Sequence, residues 1–387
     1  MKFIVLLVFI LLTTLIHASA SSYLVKSLTE AEAALKKVKA GDELIIANGS
    51  YQNWSLNIPN QGNAKALITI KAEREGEVIF SGEVTQSIFK ITGDYVTLKG
   101  IRFENCIILK STPLISLNNT NTSKITDCIF IANTTKTQFT PLVVFSGNGE
   151  SNEITNCRFS SNVDNQDVQV KITKDYSPLH TLIADNVFEL KRKVSWKNNN
   201  GGECIQIGQD PVLLGTRISK STIKSNRFIE CNAEGEIISN KSSENTYINN
   251  YFENNQGELV LRGGHDCIIV SNIFEGGSGG IRVNGTGHKI ENNQINKVNT
   301  GIRLMYGMVK GKAEIGFYVA ASNNKIYNNT INSCNIGILI GDSKNVDWTG
   351  KFDTVRYPSP VMQNVAPFDN IIKENKITNT KKSEVVN

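Results

Sequence analysis

A six-residue pattern that recurs through the chain decides the fold. Three neighbouring copies show it most plainly: YINNYF at Tyr247–Phe252, IVSNIF at Ile269–Phe274 and IENNQI at Ile290–Ile295. Each copy opens and closes on an apolar or aromatic residue and carries Asn at its fourth position. The copies start 22 and then 21 residues apart. A period of this length predicts stacked repeats, each of which adds short strands to shared sheets.

The pattern occurs ten times in all, with Ile in place of Asn in the first copy and Cys in the next two. The copies start at Leu98, Ile125, Ile154, Ile183, Ile223, Tyr247, Ile269, Ile290, Ile326 and Ile372. The shortest intervals suit one turn of a parallel β-helix, and the longer ones suit a turn with an inserted loop. The fourth position holds Cys128 and Cys157, then Asn from Asn186 to Asn375. We expect these side chains to form a buried hydrogen-bonded ladder.

We therefore predict that the mature chain is all-β and forms a single-stranded right-handed parallel β-helix that occupies residues 21–387. Its first residues differ from the repeats. Ser27 and Glu30 form a capping box, an amphipathic stretch follows, and Gly41 ends it. We predict a helix near Ser27–Lys39 that caps the open end of the first turn. The Pro- and aromatic-rich stretch Asp342–Asp369 is predicted to be an inserted loop.

The N-terminus has the features of an export signal. Lys2 precedes the apolar run Phe3–Ile16, and Ala18–Ala20 forms an A-x-A cleavage site. We predict a signal peptide at residues 1–20 and a secreted or periplasmic protein, with no membrane span in the remainder. The net charge of +5 is mild, and the seven cysteines are scattered without metal-ligand spacing. An odd number of cysteines leaves at least one unpaired within the chain.

Candidate chemistry lies in the stretch EGEIISNKS at Glu234–Ser242. Glu234 and Glu236 are two apart, so on a strand both carboxylates point the same way. Like charges side by side raise each other's pKa and need a positive partner. A hard cation such as Ca²⁺ suits several carboxylate oxygens. The preceding turn offers further oxygen donors in the Asn- and Gly-rich segment NNNGGE at 198–203.

Two cationic residues follow these carboxylates, and the interval between them matches one short turn. Arg262 lies 21 residues after Lys241, one short turn, which places it about 4.8 Å further along the axis. We align EIIS at Glu236 with the later segments GIRV and GIRL. In this alignment one outer face carries Glu236, Arg282 and Arg303. A lysine held neutral can take the acidic C5 proton of a uronic acid, and arginine can stabilise the developing charge. The pattern favours β-elimination.

The run EGEIISNKSSENTYINNYFENNQGELVLRGG resembles polysaccharide lyase family 6, which contains alginate lyases and chondroitinase B. The resemblance extends from GDELIIANGSYQNW at 41–54 to about Arg303. It implies a right-handed parallel β-helix and a Ca²⁺ site. It implies calcium ligands at Asn200, Glu234 and Glu236. It also implies that Lys241 is the general base and that Arg262 is its cationic partner.

The resemblance also bears on the substrate. Glu203 in NGGECIQIG is similar to the alginate-lyase version of this segment. Gln206 stands where the family usually has Arg, and Gly263 stands where it usually has His. We expect five side chains to contact the sugar chain: Glu203, Gln206, His265, Arg282 and Arg303.

Three functions remain open at this stage. The first is a calcium-dependent alginate lyase, and the second is a chondroitin or dermatan sulfate lyase of the same mechanism. A sulfated polymer would call for additional cations in the cleft. The third is a non-catalytic glycan-binding β-helix, which would not need Lys241 between a cation site and Arg262. A pectinase-type hydrolase would show clustered Asp on the outer face. We expect an acidic polysaccharide as the partner, no nucleic acid, and a monomer.

Overall fold

A computed structural model describes residues 20–210, 216–312 and 316–387. The predicted signal peptide lies outside these residues except for Ala20. Within the described ranges, no helix is long and apolar enough to cross a membrane.

The chain winds through three sheets, and each turn contributes in order to sheet 1, sheet 2 and sheet 3. Every strand pairs in parallel with the strand one turn away. Sheet 1 comprises Ser22–Val25, Glu43–Ile46, Ile68–Ala72, Val96–Lys99, Lys124–Thr126, Glu153–Thr155, Leu182–Ala184, Thr222–Lys224, Thr246–Ile248, Ile268–Val270, Lys289–Glu291, Lys325–Tyr327 and Ile371–Lys373. Sheet 2 comprises Gly49–Tyr51, Val78–Val84, Arg102–Ile108, Ile129–Ile131, Thr134–Thr135, Arg158–Ser160, Val187–Glu189, Arg227–Ile229, Tyr251–Asn255, Ile273–Gly277, Gln294–Asn296, Thr330–Asn332 and Lys376–Thr378. Sheet 3 comprises Leu56–Ile58, Phe89–Ile91, Ile115–Asn118, Pro141–Ser146, Gln166–Val170, Ile205–Ile207, Glu236–Asn240, Glu258–Leu261, Gly279–Val283, Thr300–Met305, Ile336–Asp342 and Lys382–Val386.

This topology is a parallel β-helix, right-handed as parallel crossover connections are, and it confirms the predicted fold class. The repeat residues stack in register, with Ile223 opposite Tyr247 and Tyr247 opposite Ile269. The predicted Asn ladder is present: the Asn226 side chain donates to Asn250 Oδ1 at 3.1 Å and that of Asn250 to Asn272 Oδ1 at 2.9 Å. Each rung thus satisfies buried polar groups of its neighbour.

The last position of the pattern forms a second column inside the coil. Neighbouring rings lie parallel with centroids 4.4–5.0 Å apart along this stack: Phe103, Phe130, Phe159, Phe188, Phe228, Phe252 and Phe274. All seven cysteines are also buried, and none forms a disulfide in the described structure. The core is therefore held by repeated contacts between turns and without cross-links.

The predicted cap is present but shorter than expected. The helix spans Leu28–Leu35, and Glu30 N donates to Ser27 Oγ at 3.2 Å. It ends at Leu35 and does not continue to Lys39, because the Asn60 side chain donates to the carbonyls of Leu35 and Val38 at 2.8 and 3.1 Å. Those bonds take up carbonyls at the helix end.

Two insertions in the last turns pack together beside sheet 3, and we call them the arm: residues 306–312, 316–324 and 343–370. The second of these follows the predicted loop boundaries closely. The arm has its own apolar cluster, in which Phe352 stacks on Phe317 at 3.8 Å and on Trp348 at 5.0 Å between ring centroids. This cluster packs the two insertions of the arm against each other.

Candidate active site

The outer face of sheet 3 carries a groove of about 600 Å³ that runs along the coil axis. Its lining extends from Ser116 on an early turn to Lys241 and Arg262 on later ones. The aromatic side chains of Phe139, Tyr176 and Phe352 also line it. Alternation along the strands of sheet 3 places the lining residues Val144, Gln169 and Gln206 outside, while their neighbours fill the core.

Three carboxylates form a cluster at the strand Glu236–Asn240 and the segment before it. One oxygen from each of Glu203, Glu234 and Glu236 lies within 4.8 Å of the others. Glu203 is 1% exposed, and the side chains of Gln166 and Gln206 donate to its two oxygens at 2.9 and 2.8 Å. The Glu203 carboxylate is therefore held in place by one side chain from the preceding turn and one from its own turn.

The carboxylates of this cluster differ in how far neighbouring positive charges offset their own negative charge. Burial, followed by repulsion from Glu203 and Glu236, raises the pKa of Glu234 to about 9. Burial alone would also raise the pKa of Glu236, but Arg262, Arg282 and Lys241 lower it below its usual value. Glu236 is thus a carboxylate at neutral pH, whereas Glu234 needs a further positive charge or a proton.

These residues fit a hard cation, because they present closely spaced oxygen donors with an excess of negative charge. The structure brings Glu234 and Glu236 together as predicted. It adds Glu203 to them, which the sequence had placed among the substrate contacts. Asn200 lines the groove, and its carbonyl accepts a hydrogen bond from the Gln138 side chain at 2.8 Å. Its role as a calcium ligand stays a prediction.

Lys241 and Arg262 occupy the same position on successive turns, as their spacing predicted. Lys241 N donates to Ile207 O at 2.8 Å, and Arg262 N donates to Asn240 O at 2.9 Å. Lys241 is only 7% exposed, although its side chain lines the groove and does not belong to the apolar core. Burial first, and then Arg262, lower the pKa of Lys241 against the opposing effect of the three carboxylates.

Arg262 and Arg282 converge on one carboxylate and one ring. The Oε1 atom of Glu236 lies 3.8 Å from Arg262 Nε and 3.5 Å from Arg282 Nη1. Arg262 Nη2 donates to the Tyr318 hydroxyl at 2.9 Å. The Tyr318 ring lies 4.9 and 5.8 Å from the two guanidinium carbons, within cation–π range.

Sequence reasoning missed Tyr318, which belongs to the arm. It lies in the earlier insertion, which the sequence marks by the 36-residue interval between the copies at Ile290 and Ile326. A second miss is a buried ion pair, in which Lys191 Nζ lies 2.8 Å from Asp167 Oδ1 with both side chains 2% exposed. No repeat position distinguishes these two residues.

The predicted alignment of EIIS with GIRV was wrong by one residue. Glu236 pairs with Glu258, a bulge follows, and Ser239 then pairs with Val260. Val260 in turn pairs with Arg282. The extra residue at the bulge explains the slip. Arg282 still meets Glu236, because its long side chain spans the offset.

Two further predicted residues are placed apart from the carboxylate cluster. Arg303 forms ion pairs with Glu258 and, at 2.7 Å, with Asp342. His265 lies at the corner between sheets 3 and 1, where its Nδ1 is 2.7 Å from Asp266 Oδ2. Neither is among the described residues that line the groove. Their contacts with substrate stay predictions, as does that of Gln206, which lines the groove and bonds to Glu203.

The family model of chondroitinase B matches residues 25–386. The chain belongs to the chondroitinase B family. No curated protein sequence matches this family member.

Three solved structures share the fold with this chondroitinase B family chain. A mutant of the PL6 family alginate lyase AlyGC has a TM-score of 0.75 at 23% identity; the match covers 94% of this chain but 53% of that one, so this chain spans about half its length. A mannuronic acid specific family 6 lyase from human gut microbiota gives 0.72 at 22% identity, with 95% and 82% covered. The PL6 family polysaccharide lyase Pedsa3628 from Pseudopedobacter saltans gives 0.71 at 23% identity, with 94% and 91% covered.

Proposed function

We propose that this protein is an exported polysaccharide lyase that cleaves a uronic-acid polymer, foremost alginate, by β-elimination. One observation carries the proposal. Lys241 and Arg262 lie on successive turns in a groove, beside three clustered carboxylates. Family membership and the fold shared with alginate lyases support the same reaction.

The chain's own residues supply the base and the cation. Lys241 in its neutral form takes the proton from C5 of the uronate. The electron pair released forms the C4–C5 double bond, the C4–O bond breaks, and the leaving oxygen takes a proton from water, to which Lys241 then returns the proton that it removed. Arg262 keeps its charge and stabilises the negative charge that develops beside C5. The lowered pKa of Lys241 favours the form that accepts the proton.

Glu203, Glu234 and Glu236 would hold a calcium ion, with Asn200 as the fourth proposed ligand. When bound, Ca²⁺ would withdraw charge from the substrate carboxylate as a Lewis acid. The raised pKa of Glu234 supports a cation here, since a positive charge would relieve the repulsion among the three groups.

Alginate is the first candidate because one structural relative is named an alginate lyase and another is named specific for mannuronic acid. A chondroitin or dermatan sulfate lyase is the second candidate, since the matching family model is that of chondroitinase B. Both substrates contain uronates, so the mechanism is common to them.

The test follows the ultraviolet absorbance of the unsaturated uronate on alginate, pectate and dermatan sulfate, with and without a chelator. Lys241→Ala should lower the rate about 10²–10⁴-fold. Lys241→Arg should fail as well, because guanidinium does not give up its proton to become a base. Lys224→Ala, exposed on sheet 1, is the matched control and should keep the wild-type rate.

Melting curves check that each variant is folded. Release of unsaturated products by Lys241→Ala at the wild-type rate would overturn the assignment of the base. A folded wild type that cleaves none of the three polymers, with calcium present, would overturn the lyase proposal.

A further inference from the structure

The position held by Lys241 recurs on the two turns before it. Four backbone hydrogen bonds of 2.8–2.9 Å continue the sheet 3 ladder through this level: Lys171 N to Phe145 O, Gly208 N to Val170 O, Lys241 N to Ile207 O and Arg262 N to Asn240 O. The strand registers below agree, with Val170 opposite Ile207. Lys171 is therefore two turns from Lys241 along one column.

The residue between the two lysines has no side chain. Gly208 has a φ of +81°, and a Cβ there would lie 2.9 Å from Lys241 O. Both its conformation and its surroundings disfavour any larger residue. Two strand spacings separate the lysines by about 10 Å along the axis. Both lysines line the groove, and the column between them stays open.

This spacing matches a repeat in the proposed substrate. One pyranose of an extended 1,4-linked chain is about as long as one strand spacing. In a two-fold ribbon, the carboxylates of a uronate and of the residue two further on project to the same side, and the one between projects away. A polymer that alternates uronate with hexosamine carries carboxylates at the same two-residue interval.

The surroundings of Lys171 suit a carboxylate ligand. It is half-buried in the groove, near the polar side chains of Gln169, Gln209 and Tyr176. In the described part of the chain its ammonium takes part in no salt bridge, whereas Lys191 is paired with Asp167. A charged hydrogen bond in such a partly enclosed site is stronger than one in open water.

We propose that Lys171 binds the carboxylate of the uronate two residues from the one that is cleaved. The proposal rests on the proposed function of Lys241. It also implies that the polymer lies along the coil axis and extends from Lys241 towards the N-terminal turns.

The test compares Lys171→Met with Lys174→Met, an exposed neighbour, on two substrate series: mannuronate oligosaccharides and unsulfated chondroitin oligosaccharides. A disaccharide cannot reach from Lys241 to Lys171, whereas a hexasaccharide can. On the series that the enzyme cleaves, Lys171→Met should lower kcat/KM for the hexasaccharide about ten- to a hundredfold, chiefly through KM. Its kcat/KM for the disaccharide should be unchanged, and Lys174→Met should match the wild type on both.

Calorimetry on the inactive Lys241→Ala background separates this proposal from the assignment of the reaction. Adding Lys171→Met should weaken hexasaccharide binding by the same factor. If binding weakens but no oligosaccharide is ever cleaved by the wild type, the subsite stands and the lyase proposal fails. If the hexasaccharide is cleaved and bound equally well with and without Lys171, or is not bound at all, the subsite proposal is overturned.

Discussion

Arg262 is held in one orientation by two different kinds of contact. Glu236 attracts its charge, while Tyr318 accepts a hydrogen bond and presents the face of its ring. Burial alone would lower the pKa of Arg262, but Tyr318 and Glu236 raise it above its usual value. Tyr318 thereby links the arm to the chemistry proposed for the groove, as a residue that positions the arginine.

Tyr318→Phe removes the hydroxyl and keeps the ring. We expect kcat to fall about tenfold, because a charged hydrogen bond that orients Arg262 is lost, while KM changes little. The control is Tyr327→Phe on sheet 1, which should leave both kcat and KM unchanged. Steady-state kinetics on the preferred polymer give the measurement. An unchanged kcat, or an effect confined to KM, would show that Tyr318 does not position Arg262.

The parts of the site that the sequence could predict are those set by the repeat. Lys241 and Arg262 are one short turn apart, so strand geometry alone placed them side by side. The segment 198–203 was also expected beside Glu234 and Glu236, but the insertion in that turn hid which of its oxygen donors would reach them, and the carboxylate of Glu203 was not among those expected. Tyr318 lies in an insertion whose packing depends on contacts with a second insertion. Residues of that kind can be found only when the fold is known.

At the scale of the elements, a second ladder runs along the corner that leads into sheet 1. His288 Nδ1 accepts from Cys267 N at 3.0 Å, and His288 N donates to Asn324 Oδ1 at 2.8 Å. Because Nδ1 is an acceptor, Nε2 carries the hydrogen and donates to Asn284 O at 3.1 Å. Neutral imidazole thus fills a place that Asn fills on the next turn, at Asn324, and two turns earlier, at Asn245.

This substitution predicts a dependence of stability on pH. Burial lowers the pKa of His288 from 6.5 to about 4, against the smaller raising effects of the bond to Asn284 O and of Asp266. The unfolded chain binds a proton below pH 6.5, whereas the folded chain does so only near pH 4. The contribution of His288 is present above 6.5 and falls by about 3 kcal/mol as the pH drops to 4.

The matched variant is His288→Asn, which can still accept from Cys267 N. Denaturant unfolding of both proteins from pH 7 to pH 4 gives the measurement. The unfolding free energy of the wild type should fall relative to that of the variant as the pH falls. Parallel curves over this range would contradict the prediction.

The strands themselves were predictable because the repeat marks the sheet 1 and sheet 2 strands of each turn, and the turn length leaves room for the third. The interruptions were not predictable. The bulge at Glu236–Ile238 moves later residues by one position, and nothing in EIIS distinguishes it from a regular strand. The helix end at Leu35 depends on Asn60, which belongs to the next turn. The sequence around Leu35 alone does not indicate such a partner.

At the scale of the whole molecule, the cap covers the first open edges of the sheets. Ala31, Ala34 and Leu35 of the helix are buried against the first turn. An uncovered end of a stacked solenoid offers unpaired backbone groups to another chain. The cap is therefore expected to keep the protein monomeric as well as to stabilise it.

Leu35→Asp places a charge in that contact and should lower the unfolding free energy by about 3 kcal/mol or more. It should also promote self-association, measured by light scattering coupled to size-exclusion chromatography. Lys36→Asp, which changes an exposed residue of the same helix end, is the control. A variant that stays monomeric at high concentration, although its helix has been lost, would show that the cap does not prevent association.

The buried thiols have a practical consequence. They are distributed from Cys106 in an early turn to Cys334 near the last, and burial raises the pKa of Cys106 and of Cys267 to about 12. The thiolate is the reactive form, so a closed turn resists alkylation and an opened one reacts. The chain thus carries its own chemical probes of local opening. The order in which the thiols react would map where the coil frays first.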